Sequence, residues 1–394
     1  MTGAAIAGLG ITELGKVYGR SSTSLAAEAV RRAVADAGLE LRHLDGLLVS
    51  GGIKQDVGVS LAGVLALGEL GLLAQVNAFG ATAGVLVAQA AQAIASGSAT
   101  TVACVFADTP LQPQRRAGSA WGAPRSGARN PRGLAGWNLA SGAASPNILY
   151  ALCARRHMEQ YGTTSRQLGE IAVAQRAWAA SNPRAAMRQP LTLAEHQASR
   201  WIAEPLHLLD CCLVSNGAVA IVVTSADRAS GLRRPPVHVW GFGQAHAPRQ
   251  LRAGSDWGVV TPAARSGPQA MRMAGVGVDD VDVCELYDCY TYTVLVTLED
   301  YGFCPKGEGG RFVADGRLAP GGKLACNTGG GQLSAYYMWG MTPLSEAVIQ
   351  ARGDGGARQA PRNDVILVSG NGGILEHHAT LVLSPHPARR SAPR

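Results

Sequence analysis

The segment NTGGGQLSAYYMWGM, residues 327–341, opens with a glycine run and delivers two adjacent tyrosines, Tyr336 and Tyr337, with no histidine or cysteine beside them. A phenol whose unperturbed pKa is about 10 is a competent acid when neutral, and needs neighbouring donors or positive potential to serve as a base. The backbone amides of Gly329, Gly330 and Gly331, and of Gly372 and Gly373 further on, could hold a developing oxyanion with Asn327 or Asn371 nearby. The competing readings are structural: tyrosines packed with their hydroxyls tied to backbone groups, and glycines that only serve tight turns.

Such a loop needs a frame, and the chain writes that frame twice. AAIAGLG near the amino terminus and VHVWGFG at 237 are apolar strands ending in glycines. ADAGLELRHLDGLLV (35–49) aligns with RMAGVGVDDVDVCEL (272–286), pairing Gly38 with Gly275 and Asp45 with Asp282. Each copy predicts an amphipathic helix ending at Ala-Gly, with Ser24 capping the first helix and Gly38 in the left-handed C-terminal position. VNAFGATAGVLVAQ and the 326–353 segment then read as strand, glycine turn and helix, leading into TTVACVFAD and DVILVSGNGG. Two βαβαβ-type units follow, with two sheets around shared central helices and a pocket where the glycine elbows converge. Residues 109–148 break the repeat and read as an excursion, after which helical periodicity resumes at 149–161 and 165–180.

Composition narrows the class. With 47% hydrophobic and 16% charged residues, the 394-residue chain is read as a compact α/β protein that hides further surface by oligomerising. The charge-free stretch Leu70–Ala107 contains Gln75, Asn77 and Gln89, so it is assigned to a buried core and not to a membrane. The eight cysteines show no CxxC spacing, which argues for reduced thiols and against a metal site. The amino terminus lacks a secretory pattern, and a cytoplasmic location is expected. The formal charge of +7 is local: Arg115, Arg116, Arg125, Arg129 and Arg132 fall in an acid-free, Gly/Pro-rich segment, which is a solvated loop, a site for the phosphates of an acidic ligand, or a site for a partner's surface.

The phrases YGTTSRQLGEIAVAQRAWAASNPRAAMRQPLTLAEH, SRWIAEPLHLLDCCLVSNGAVAIVVTS and YGFCPKGEGG resemble the sterol-carrier-protein-type branch of the thiolase superfamily. The resemblance implies a thiolase fold in α-β-α-β-α layers, with residues 1–108 plus 200–230 as the N-terminal half and 231–385 as the C-terminal half. Residues 109–199 form an inserted loop and helical excursion, and 386–394 a tail. Thiolases place a nucleophilic cysteine in the first elbow, where this chain has Gly80 in VNAFGATAG, and a histidine in the second, where it has Tyr337 at or next to that position. The second cysteine becomes Asn371, and the histidine of a further signature becomes Tyr287 in LYDCYTY.

These departures resemble a narrower group, the thiolase-like steroid side-chain aldolases of the lipid-transfer-protein family, in which tyrosines at the positions of Tyr287 and Tyr337 serve as acid and base. The resemblance implies retro-aldol cleavage of a β-hydroxyacyl-CoA, a 17-hydroxy steroid side-chain ester giving a 17-ketosteroid and propionyl-CoA. It implies no cofactor beyond the substrate's CoA, with Arg115, Arg116 and Arg125 as candidates for its phosphates. It also implies a homodimer joined by a separate OB-fold and zinc-ribbon protein. Two other readings stand beside it: a divergent thiolase or acyltransferase using an unexpected cysteine such as Cys104, Cys289 or Cys326, and a non-catalytic thiolase-like subunit.

Overall fold

The computed structural model describes residues 3–118, 136, 139–143, 145–247 and 256–387. Among them one large sheet is built from β1 Ala4–Ile11, β2 Gly46–Gly51, β3 Leu72–Gln75, β4 Thr101–Asp108, β5 Gly217–Ser225, β6 Val237–His246, β7 Val283–Glu285, β8 Ala325–Cys326, β9 Ile366–Gly372 and β10 His377–Ser384. The longer helices are α1 Ser22–Asp36, α2 Thr82–Ser96, α3 Pro146–Tyr161, α4 Ser165–Ala179, α5 Ala263–Ala274, α6 Thr291–Tyr301 and α7 Met341–Ala351.

The strand order β3-β2-β4-β5-β1 recurs as β8-β7-β9-β10-β6, each strand replaced by the one five places later. Directions recur too: β2 runs parallel to β3 and β4, β7 runs parallel to β8 and β9, and the remaining pairs in each half are antiparallel. The aligned aspartates do the same work in both halves. Asp45 accepts the amides of Thr100 and Thr101 ahead of β4, and Asp282 accepts that of Val365 ahead of β9.

Two expectations are corrected. The sheets are not separate, because β1 and β6 pair at Ala5 with His238 and Ile6 with Val237, making one ten-stranded sheet. The paired residues of β1 and β6 are buried, so unpaired backbone groups at this seam would be costly. The cap of α1 is Ser21, whose hydroxyl accepts from Ser24 N at 3.1 Å, so the helix begins at Ser22. Gly38 and Gly275 do end their helices left-handed, at φ +74 and +73.

The glycine pairs in β1 and β6 explain how tightly the outer helices sit. A Cβ at Gly8 or Gly10 would meet Ala33 O or Ala29 O of α1 at 2.0 and 2.1 Å, and one at Gly241 or Gly243 would meet Ala270 O or Ser266 O of α5 at 2.2 Å. Helices α1 and α5 therefore cover opposite outer faces, while α2 and α7 lie between the halves, each packed against strands of both. This is the α-β-α-β-α layering. The apolar stretch Phe79–Ser96, long enough to cross a membrane, is 67% buried as this central core helix.

Candidate active site

Helices α2 and α7 begin at matching elbows. Phe79 (φ +52) and Trp339 (φ +49) turn the chain through the left-handed region, followed by Gly80 and Gly340. Ala78 N donates to Thr82 Oγ1 at 2.8 Å, and Met338 N donates to Thr342 Oγ1 at 2.9 Å. Tyr336 lies just before the second elbow in extended backbone, φ −162 and ψ 161. Successive side chains of an extended chain point opposite ways. Tyr336 accordingly reaches α7, where its hydroxyl meets Ser345 Oγ at 2.9 Å, and Tyr337 reaches the other way.

There the Tyr337 hydroxyl lies 3.0 Å from that of Tyr287, with the rings inclined at 64°. Both side chains are buried, and both backbones are pinned by hydroxyls. Tyr287 N donates to Ser369 Oγ at 2.9 Å and its carbonyl accepts from Thr293 Oγ1 at 2.9 Å, while Tyr337 N donates to Ser215 Oγ at 3.0 Å. The pair is thus fixed by β9, α6 and the approach to β5. Burial holds both phenols well above their ordinary pKa, so each is a neutral hydroxyl in the resting protein.

Gly80 borders this pair. A Cβ placed on it would come within 2.2 Å of Tyr287 Cε2, Tyr287 Cζ and Asn371 O alike. The tyrosine ring occupies the space that a side chain at position 80 would need. Nor do the thiols replace it: burial pushes Cys104 and Cys326 far up and Cys289 up to about 12, leaving no thiolate at neutral pH. Among the described residues no cluster of His, Cys, Asp or Glu could hold a metal.

Comparison with known proteins follows the same line. Residues 243–385 match the thiolase C-terminal domain-like family. A steroid side-chain-cleaving aldolase of Thermomonospora curvata is 40% identical over 385 residues, covering 94% of this chain and 95% of that one. A 17-hydroxy-3-oxo-4-pregnene-20-carboxyl-CoA lyase of Mycobacterium tuberculosis is 38% identical over 384 residues, 94% of this chain and 96% of the other. The solved Ltp2-ChsH2(DUF35) aldolase superposes with a TM-score of 0.86 at 37% identity, covering 99% of both chains. The chain belongs to the thiolase-like aldolases. A monomeric SCP2-thiolase-like protein type 1 from Mycobacterium smegmatis shares the fold, with a TM-score of 0.76 at 20% identity over all of this chain and 80% of that one.

In this aldolase the other predicted residues fall into two groups. Asn371 and Gly372 adjoin the tyrosines. Asn371 Nδ2 donates to Tyr150 OH at 3.1 Å while its Oδ1 is buried without a partner, and a Cβ on Gly372 would strike Ala78 O at 2.3 Å. Gly373, at φ +63, turns the chain towards β10. Asn327, Gly330 and Gly331 form the layer beneath. Asn327 Oδ1 accepts from Leu286 N at 2.6 Å, its backbone carbonyl takes the Gly330 amide at 2.8 Å, and a Cβ on Gly331 would lie 2.1 Å from Asp288 Oδ2. The following amides, of Gln332 and Leu333, donate to Asp288. Burial raises that carboxyl to about 7 although those hydrogen bonds pull it down. Arg115 and Arg116 are exposed beyond β4, and Arg125 lies outside the described residues.

Sequence reasoning missed Asp288, Tyr150, Ser215 and Ser369. Only Asp288 carried a signal, as the third residue of the LYD triplet.

Proposed function

We propose that this aldolase cleaves a β-hydroxyacyl-CoA by retro-aldol chemistry, and that the substrate is a 17-hydroxy steroid side-chain CoA ester yielding a 17-ketosteroid and propionyl-CoA. The observation that carries the reading is the Tyr287–Tyr337 hydroxyl pair at 3.0 Å, with the Tyr287 ring filling the space beside Gly80. The names of the relatives from Thermomonospora curvata and Mycobacterium tuberculosis support the steroid ester.

In the cleavage the β-hydroxyl gives up its proton, the Cα–Cβ bond breaks, the oxygen becomes a ketone, and the bonding electrons pass to the thioester as an enolate. Protonation at Cα completes the reaction. One proton therefore leaves oxygen and one arrives at carbon, so no net charge has to be created. Two hydrogen-bonded neutral phenols fit that balance: one takes the hydroxyl proton as the pair delivers another to Cα, without a standing tyrosinate. Asn371, Gly372 and Gly373 are the candidates for steadying the enolate oxygen, with Asn327, Gly330 and Gly331 shaping the loop behind them. Arg115, Arg116 and Arg125 are proposed for the CoA phosphates, and no further cofactor is invoked.

A homodimer in the cytoplasm, joined to a separate OB-fold and zinc-ribbon protein as a heterotetramer, completes the reading. Its support is the DUF35 component of the similar solved aldolase. The sheet edge at β3, where Leu73 is 44% exposed, supports self-association. The test is turnover of the steroid ester, with and without a DUF35 protein, by the wild type, Tyr287→Phe and Tyr337→Phe. Each substitution is expected to lower ketone and propionyl-CoA release by about 100-fold or more, with the wild type insensitive to iodoacetamide. Undiminished release by both variants would refute the tyrosine mechanism.

A further inference from the structure

A second feature lies at the other end of α7. Tyr337 precedes the amino terminus of this 11-residue helix, whereas Ile349, Arg352 and Arg358 at and beyond its carboxyl end line a cleft of about 570 Å3 between the halves. About 16 Å of helix axis separates the two ends. The end of α1 and the turn into β6 close the cleft.

Its charge is lopsided: Arg32, Arg184, Arg233, Arg234, Arg352 and Arg358 face two carboxylates, Asp36 and Asp354. Four of the six are engaged. Arg352 pairs with Asp36 at 2.7 Å, Arg234 bridges Asp36 and Asp354, Arg358 holds Glu346 at 2.8 Å, and Arg32 holds Glu28 at 2.6 Å. That network explains a staple between the halves. It does not explain Arg184 and Arg233, for which no carboxylate partner exists among the described residues. Nor does it satisfy the Nε of Arg352, a buried donor with no acceptor at hydrogen-bond distance on a side chain 2% exposed. Such a donor costs free energy until an acceptor arrives. Guanidinium forks match phosphate oxygens in geometry as well as charge, and the volume suits a small organic ligand.

We propose that this cleft binds an organic phosphate of nucleotide size, at a site separate from the tyrosine pair. The shared chemistry is the phosphate group on a small organic body; its source is either free nucleotide or the nucleotide end of released CoA.

The experiment is calorimetric titration of the full chain with ADP, CoA and inorganic phosphate, using the wild type, Arg184→Ala/Arg233→Ala, Arg184→Lys/Arg233→Lys and Tyr337→Phe. The expected result is one ADP per chain, displaced by high phosphate, weakened about tenfold or more in the alanine variant and partly restored in the lysine variant. Tyr337→Phe should leave ADP binding intact, which separates this site from the reading of the tyrosines. A second CoA equivalent that vanishes in the alanine variant assigns CoA as the source, and ADP binding without that equivalent assigns free nucleotide. Both arginines are exposed, so the variants should melt like the wild type when unliganded. Absence of ADP binding at millimolar concentration, equal binding by the alanine variant, or ADP binding no tighter than phosphate would each overturn the proposal.

Discussion

Tyr287 serves twice: its ring takes the volume beside Gly80 and its hydroxyl meets Tyr337. Gly80→Ala is therefore expected to destabilise the protein by about 1–3 kcal/mol through overpacking, and to lower aldolase turnover by displacing the ring. Thermal denaturation and steady-state assay check both, and unchanged values would mean that the ring does not need that space. Asp288 offers a pH test. Its carboxyl is raised from 3.8 to about 7 by burial. Between those values the folded protein keeps a proton that the unfolded chain releases, so stability falls as pH rises through that window and is level on either side. The stability of wild type minus that of Asp288→Asn, from urea melts across pH, should decline from about 4 to about 7; a flat or rising difference would count against it. The two tyrosines were legible because motif positions mark them. The reason for Gly80 was not, since its neighbour in space is 207 positions away by number (287 minus 80) and only folding brings the ring there.

The elbows show what can be read from local pattern and what cannot. Glycine-rich turns opening two apolar helices were plain in the sequence, as were the Ala-Gly helix ends. The direction of each amide was not. The turn at Gly331–Ala335 is π-helical, and it aims the Gln332 and Leu333 amides at Asp288 instead of leaving them for an oxyanion. Nothing in GGGQL announces that choice, because it depends on Asp288 arriving from another segment. Each elbow also rests on a threonine: Thr82 accepts Ala78 N and donates to Phe79 O, and Thr342 accepts Met338 N and donates to Tyr336 O. Thr82→Val and Thr342→Val should each cost about 1–3 kcal/mol by orphaning a buried amide. Thr342→Val should in addition lower kcat more than it changes KM, since Met338 directly follows Tyr337. Loss of stability with wild-type kcat in Thr342→Val would show that this elbow does not position the tyrosine.

The duplicated halves raise the question of whether they unfold separately. Three features tie them together: the β1–β6 pairing, helices α2 and α7 packed on strands of both halves, and Arg352. From the end of α7, Arg352 reaches into the N-terminal half, donating to Asp36 Oδ2 at 2.7 Å and to Ala7 O at 2.9 Å; Asp36 Oδ2 also accepts Leu9 N of β1. Because α2 supplies buried apolar surface to the strands of both halves, neither half keeps a complete core without the other. A single cooperative transition follows, with near-ultraviolet and far-ultraviolet signals coinciding. Arg352→Met should lower the midpoint by about 1–3 kcal/mol of stability, less than a fully buried pair because Asp36 is 26% exposed, without splitting the transition. Two resolved transitions in the wild type would mean that the shared helices do not couple the halves. Two in the variant alone would place the coupling in the Arg352–Asp36 staple and not in the apolar core.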